Sequence, residues 1–517
     1  MGIKKQITRH KSTRHKKMKR ILTTLFFVVV IAGAISAQTV TAVTTAAGTL
    51  QSVLTTAPDK VVALVVQGPV DAGDLEFINT KMTSLESLDL KGVTIEAYYG
   101  AGHAINGVQR YDANYLPEMI FAGLRAKTLT LPLTAKLRIG EGAFVGASLT
   151  AVTIPENVGE VGDGAFAGCR ALKSVTVKTN TGSGSDIFAN CTALTTADIS
   201  AMTEVPVRMF DGCSSLSSVI VNPSCISIGT AAFRGCKALK SFDFASTLTS
   251  LQPSAFECSG LQKIDMTASQ DIFAVGQYAF ANCSGLTEAL FADNIVNISE
   301  GALFNCEKLT SIHLPGSLTG FGNAMLSNTA IAGKIEMPRM SMTIGDYALT
   351  GAAAVSEIDI PASVFYIGNE AMSGMSGLKR INVSRHQAIP SIGMDVWSDV
   401  DQPKVTLIVA DSMYGEFKAA EQRKEFDVVM ISGTDDIASE SAGVSVKGRF
   451  EGMDLHVVAT GVPMKHVELY DVSGALLTAV DTSENEIVIP TAAYTTRVYV
   501  VNVILANGRR AAVKLMR

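Results

Sequence analysis

Across 517 residues the charged class is 18% and the hydrophobic class 47%, a core-forming composition that excludes a disordered chain, and the length exceeds one compact core. The formal net charge of -5 hides an asymmetry: nine of the 43 Lys+Arg lie in the first 20 residues, so from Gln38 onward 34 bases face 48 acids, a balance of -14. An acidic body of this kind excludes nucleic acid as the partner, because that role needs a clustered basic face.

At the amino end Lys16, Lys17, Lys19 and Arg20 precede an apolar run, Ile21 to Ile35, followed by the small residues Ser36 and Ala37. This order predicts an export signal over residues 1–37, cleaved near Ala37, with Met18 as an alternative start. A membrane anchor is the other reading of the run, but about 15 apolar residues fall short of the roughly 20 that span a bilayer. No cysteine stands near the cleavage point to carry a lipid.

From about residue 130 an internal repeat takes over. One unit reads Gly162-x-x-Ala165-Phe166-x-x-Cys169-x-x-Leu172-x-x-Val175-x-Val177; another reads Gly229-x-x-Ala232-Phe233-x-x-Cys236-x-x-Leu239-x-x-Phe242-x-Phe244. The first inward strand position recurs at Val152, Val175, Ala197, Val219, Phe242, Ile264, Ala289, Ile312, Ile335, Ile358 and Ile381. Spacings of 22 to 25 residues over eleven units mark a repeat array. Val175 and Val177 share one face of a short strand, and Pro155, Pro315, Pro338 and Pro361 follow strands, where a missing N–H is tolerated. The Ala-Phe pair belongs to the return segment, with its ring in the interior and a glycine ahead of it for the corner. One unit cannot bury its apolar side alone. Stacked units are therefore expected to form a continuous parallel sheet of eleven strands, about 50 Å long at 4.8 Å per strand.

These residues resemble the BspA-like leucine-rich-repeat family of bacterial surface proteins, over roughly residues 80–430. Within that pattern Ala147 and Ala352 replace the cysteine, and Met325 and Met372 are expected to replace the phenylalanine. The resemblance implies a leucine-rich-repeat solenoid of about eleven repeats with a binding or adhesion role at the cell surface, toward host protein, matrix or another cell.

The array needs caps at both ends. Residues 38–130 are expected to form the amino cap and an irregular first repeat, with a buried strand at Val61 to Val66 and inward Leu85, Leu88 and Leu90. Its loop, Tyr98-Tyr99-Gly100-Ala101-Gly102-His103, offers two aromatics and an imidazole, either as a binding loop or as a cap decoration. The solenoid proper is expected over 131–432. It closes with a last repeat carrying Trp397 near the phenylalanine position, a strand Val405 to Val409, and a helix from about Asp411 to Arg423 with Tyr414, Phe417 and Ala420 on one face. Residues 433–442 read as a polar linker.

Residues 443–517 lose the repeat and alternate as strands, with turns at Ser473-Gly474 and Asn507-Gly508. Tyr470-Asp471-Val472-Ser473-Gly474 and the segment Gly508 to Lys514 resemble the β-sandwich sorting domain of the type IX secretion route of Bacteroidetes, although Arg497 stands where that family has glycine. The resemblance implies an export-machinery partner; a plain β-sandwich is the alternative.

Seven cysteines, Cys169, Cys191, Cys213, Cys236, Cys258, Cys283 and Cys306, each stand three residues before the repeat leucine, which predicts one inward column of free thiols. Cys225 falls outside it. There is no paired ligand spacing for zinc, no catalytic elbow and no phosphate loop, so no cofactor, metal or enzymatic role is expected. The candidate binding residues are the outward strand positions Asp198, Ile220, Asp243, Asp265, Leu290 and His313, with Tyr98, Tyr99 and His103 as the alternative site. A protein or a glycan is the expected partner. With aromatics at 6% and one Trp, glycan capture has few platforms to use.

Overall fold

The computed structural model describes residues 39–100, 110–180, 184–431, 445–451, 453–471, 476–494, 498–507 and 510–516. The leader over 1–37, His103, the polar stretch 433–442, and the turn residues Ser473, Gly474 and Gly508 lie outside the described residues.

The marker positions set the register of a front sheet. Strands Ala151–Ile154, Ser174–Val177, Thr196–Ile199 and Ser218–Val221 run parallel, with Val152, Val175, Ala197 and Val219 opposite one another. Further along, Ile264, Ala289 and Ile312 align, and then Ile335, Ile358, Ile381, Leu407 and Val428. A 22–25-residue period thus returns the chain to the same place one strand further on.

The front sheet is not continuous, contrary to the sequence expectation. Its first break falls at Phe242, which lies in no strand. Phe242 and Phe244 occupy the inward positions held by Val219 and Val221 in the coil before and by Ile264 and Met266 in the coil after. Their rings crowd Phe233 and Phe256, with Phe242 at 5.1 and 4.8 Å from those two centroids. A second break separates Ser311–His313 from Gly333–Glu336, which pair only with their outer neighbours. Here the chain has one residue more between Ile331 and Ile335 than between Leu309 and Ile312. Gly333 absorbs it at φ +79°, a left-handed conformation open to glycine, and the strand bulges out of register.

A second sheet forms the opposite, back side. Nine two-residue strands, from Glu204–Val205 to Ser391–Ile392, stack in parallel and align Val205, Ile228, Leu251, Val275, Ile298, Phe321, Ile344, Ile367 and Ile392. The return segments are turns with little helix.

Along the third side Phe121, Phe144, Phe166, Phe188, Phe210, Phe233, Phe256 and Phe280 stack ring on ring, at centroid separations of 4.9 to 5.8 Å. Such offset contacts add to the apolar burial that holds neighbouring coils together. Coil-to-coil backbone bonds continue the column through Leu303, Leu326, Leu349 and Met372 to Trp397. Met372 and Trp397 hold the expected place. Met325 does not: it stands in the alanine column, and Leu326 takes the ring position.

One cluster of buried residues runs from Ala42 to Val428. Its amino end contains a helix the sequence reading did not anticipate, Ala72–Lys81. Asp71 caps it by accepting from the Asp74 N–H, and the buried Asp74 carboxylate accepts from the N–H groups of Gly48, Leu50 and Asp71. At the carboxyl end the helix expected over 411–423 is shorter. A 3-10 turn, Asp411–Met413, leads into Tyr414–Ala419, and Ala420 is already extended at ψ 134°. Arg423 is buried, donates to the Pro390 carbonyl at 2.5 Å and lies over the Phe417 ring.

Residues 445–516 form two antiparallel sheets of three and four strands around a separate apolar cluster that includes Leu455, Val467, Leu469, Tyr499 and Val501.

Candidate functional site

The front sheet carries charge on its outer surface. Lys263 reaches Asp265 at 3.5 Å and Glu288 at 3.1 Å; Lys334 reaches Glu336 at 2.6 Å and Asp359 at 2.8 Å. His313 Nε2 lies 3.1 Å from Asp293 Oδ1, and the Asp293 carboxyl is held below its ordinary range by that contact. These pairs are solvent-exposed and contribute little stability.

The six candidate residues of this face are not equivalent. Asp198 and Asp265 accept from the N–H and hydroxyl of the residue two positions on, Ser200 and Thr267, and so close the turn after their strands. The Thr267 hydroxyl holds the Asp265 carboxyl below its ordinary range. Asp243 is exposed and has no hydrogen bond or ion pair among the described residues. Ile220 is 56% exposed, Leu290 is half-buried and His313 is exposed. Asp243 and Asp265 are on successive coils, but the break at Phe242 leaves them without the ladder pairing the sequence implied.

At the second break the front sheet opens into a groove of about 370 Å³, lined by Ser311 and His313 on one wall and by Ile331, Lys334 and Glu336 on the other. Of the alternative site, Tyr98 is buried against Ala72 and Tyr111. Tyr99 is 70% exposed and stacks under the Arg110 guanidinium at 5.0 Å. The two tyrosines therefore do not act together, and the strands Tyr98–Tyr99 and Arg110–Tyr111 pair as the base of a hairpin.

The back face differs in kind. Just before its strands a row of outward side chains runs Ile226, Thr249, Phe273, Val296, Thr319, Met342 and Phe365. Backbone bonds link the row from coil to coil: Thr249 N–H to Ile226, Val296 to Phe273, Thr319 to Val296, Met342 to Thr319 and Phe365 to Met342. Phe273 is 60% and Phe365 61% exposed. The adjoining row, Ser227, Ser250, Ala274, Asn297, Gly320, Thr343 and Tyr366, carries no charge either.

Six of the seven column cysteines are stacked inside. Each thiol donates to the phenylalanine carbonyl of the preceding coil: Cys169 to Phe144, Cys191 to Phe166, Cys213 to Phe188, Cys236 to Phe210, Cys283 to Phe256 and Cys306 to Phe280, at 3.1 to 3.3 Å. Burial pushes Cys283 up to about 12 and Cys236 and Cys306 higher still, so these three are not nucleophiles at neutral pH.

Cys258 departs from the column. It follows Phe256 by two residues, not three, and stands at φ +56°, where other coils have glycine or asparagine. Ser259 takes the inward place, its hydroxyl 3.2 Å from the Cys283 sulfur. Cys225 lines the interior corner before the back strand, where other coils place Leu248, Ile272, Ile295 and Leu318. All eight thiols are free. Among the described residues no group of three or more His, Cys, Asp and Glu is arranged to hold a metal, and no helix is long and apolar enough to cross a membrane.

The model of the BspA type leucine-rich repeat region matches in six copies, over residues 114–222, 203–332 and 305–406, which together span more than half of the sequence. The chain belongs to this family. No curated protein matches the sequence of this BspA-type chain. It is similar to several solved structures. One is a leucine-rich repeat protein from Bacteroides ovatus, at 18% identity over 54% of this chain and 92% of that one, with a TM-score of 0.35. Another is a leucine rich cell surface protein from Faecalibacterium prausnitzii, at 21% identity over 49% and 83%, with a TM-score of 0.32. A third is the pneumococcal vaccine antigen PcpA, at 16% identity over 72% and 80%, with a TM-score of 0.33.

Sequence reasoning placed the front face of this BspA-type solenoid and missed the back one. The signal was present: Ile228-Gly229, Val275-Gly276, Phe321-Gly322, Ile344-Gly345 and Ile367-Gly368 recur with the repeat period.

Proposed function

We propose that this BspA-type protein is an exported surface protein that binds a protein ligand through the charged front face of its solenoid. The observation that carries the reading is the groove at the second break. There a regular wall of coils opens between Ser311–His313 and Gly333–Glu336, bringing an imidazole, a lysine and a carboxylate around one concavity. Two strand edges that do not pair with each other offer backbone donors and acceptors to an extended segment of a partner, and the charges beside them select among partners. The chain carries no buried pair of reactive groups in that groove, so recognition rather than turnover fits its chemistry. Export would use the leader over 1–37. The carboxyl-terminal unit, whose Tyr470-Asp471-Val472-Ser473-Gly474 segment resembles that of a sorting domain, would act as the signal for the secretion route.

A panel of extracellular-matrix proteins and glycans, probed with the full chain and with the Lys334→Glu variant, tests this. Binding to at least one protein, weakened tenfold or more by the variant, is expected. Binding confined to glycans, or binding unaffected by the variant, contradicts it.

A further inference from the structure

The back face pairs exposed apolar side chains with an absence of charge, in a protein whose body is acidic and whose front face is crowded with ions. Over seven successive coils its outward rows contain no Asp, Glu, Lys or Arg; Glu204, opposite Ser227 in the ladder, and Asp271, two residues before Phe273, stand at the rim. Phe273, Val296, Met342, Phe365 and Ile226 are all exposed along it. An apolar strip interrupted by Thr249 and Thr319, with polar margins, marks a contact surface. Charge and shape together indicate what it contacts.

The row is self-complementary. Take a two-fold axis lying in the plane between two facing back sheets, parallel to their strands and passing over Val296, the fourth of the seven positions. Val296 then meets itself, Phe273 meets Thr319, Met342 meets Thr249, and Phe365 meets Ile226. Each large side chain falls opposite a smaller one, as interdigitating faces require. The same residues offered in parallel register would set Phe on Phe and Met on Met. Two identical acidic bodies repel one another, and they approach at least cost through a surface without ions. The strip spans six intervals of about 4.8 Å, or about 30 Å, and roughly four or five residues in width, giving about 450 Å² per partner. That lies at the weak end of specific interfaces, where complexes form and dissociate readily.

We infer that the back sheet is a homodimer interface, in which two copies of this chain pack antiparallel about Val296 and leave both front faces outward. The inference goes beyond ligand binding, and its readout needs no ligand, so it stands or falls separately from the proposed function.

Sedimentation velocity on the full chain from about 5 to about 500 µM should show a monomer–dimer equilibrium. Phe273→Asp/Phe365→Asp should remain monomeric throughout with an unchanged circular dichroism spectrum, and Ile220→Asp on the front face should associate like the parent. Should the aspartates perturb folding, Phe273→Ser/Phe365→Ser answers the same question. A short bismaleimide should link Val296→Cys to itself, leave Phe365→Cys unlinked alone, and link Phe365→Cys to Ile226→Cys when the two are mixed. Cys258, the one half-buried native thiol, is replaced by alanine in every variant, and the parent carrying only that change provides the unlinked control. A parent chain that stays monomeric at the highest concentration overturns the inference. So does association that survives loss of both phenylalanines, or self-linking of Phe365→Cys without that of Val296→Cys.

Discussion

The thiol of Cys213 donates to the carbonyl of Phe188 in the preceding coil, with sulfur and oxygen 3.1 Å apart. The same carbonyl already accepts from the Cys191 N–H of its own coil at 3.3 Å. Six of the eight phenylalanines that stack the coils thus also present an oxygen that the next coil's cysteine satisfies. Cysteine fills the column because it is small, apolar and still a donor. Cys213→Ala should lower stability by about 1–2 kcal/mol through the lost contact and the lost volume, whereas Cys213→Ser should fall between alanine and the parent. Urea-denaturation midpoints of the three proteins check the order; equal midpoints for alanine and parent would mean the thiol contributes nothing.

The same column sets thiol reactivity. Six thiols are sealed inside, Cys225 lies in an interior corner, and only Cys258 reaches the half-buried boundary. An aromatic disulfide reagent should modify Cys258 before any other in the folded protein and all eight after unfolding. Three or more fast thiols in the folded state would show that the column is open.

At the amino end, Asp74 joins the helix Ala72–Lys81 to residues 48–50 through the N–H groups of Gly48 and Leu50, at 2.7 and 3.0 Å. Replacing it by alanine leaves buried donors unsatisfied and should cost on the order of 2–4 kcal/mol at that end. Hydrogen exchange should speed up at Gly48 and Leu50 in Asp74→Ala while the central coils keep their protection. Loss of protection throughout the array would show instead that the cap and the coils unfold as one unit.

The carboxyl end should respond to acid through His386. Burial, assisted by the nearby Arg423 charge, holds its imidazole below the ordinary value of 6.5. The unfolded chain therefore takes up the proton first. The neutral imidazole's contribution is complete above 6.5, and it is lost as pH falls from there through the folded-state value. Protection of residues 381–428 should thus fall between neutral pH and pH of about 5, and His386→Phe should flatten that dependence. A slope unchanged in the variant would assign the effect to other groups.

How much of this was legible follows from where each signal lies. Val175 and Val177 alternate with Thr176 in a strand long enough for the period of two to show, so the front strands could be located. The back strands are two residues long. In Ile226-Ser227-Ile228 the alternation would place both isoleucines on one face. In the fold Cys225 takes the inward corner before the strand, which turns Ile226 outward while Ile228 stays buried. The apolar row was therefore hidden by the rule that revealed the front. Cys258 was misplaced for a related reason. Counting back from Leu261 puts it in the column, whereas counting forward from Phe256, the residue the coils stack upon, puts Ser259 there. The gap between Ser311–His313 and Gly333–Glu336 turns on a single extra residue before Ile335, compensated by one fewer after Thr329, so the overall period conceals it.

The central claim is that the front groove, not the Tyr99 hairpin, recognises the ligand. Its most direct test is an affinity comparison on whichever matrix protein binds the parent chain best. The variants are His313→Glu/Lys334→Glu and Tyr99→Ala, with circular dichroism confirming that both fold. The account predicts at least a tenfold loss for the first and a change within about twofold for the second. Affinity retained by the charge-reversed front face and lost with Tyr99 would contradict it.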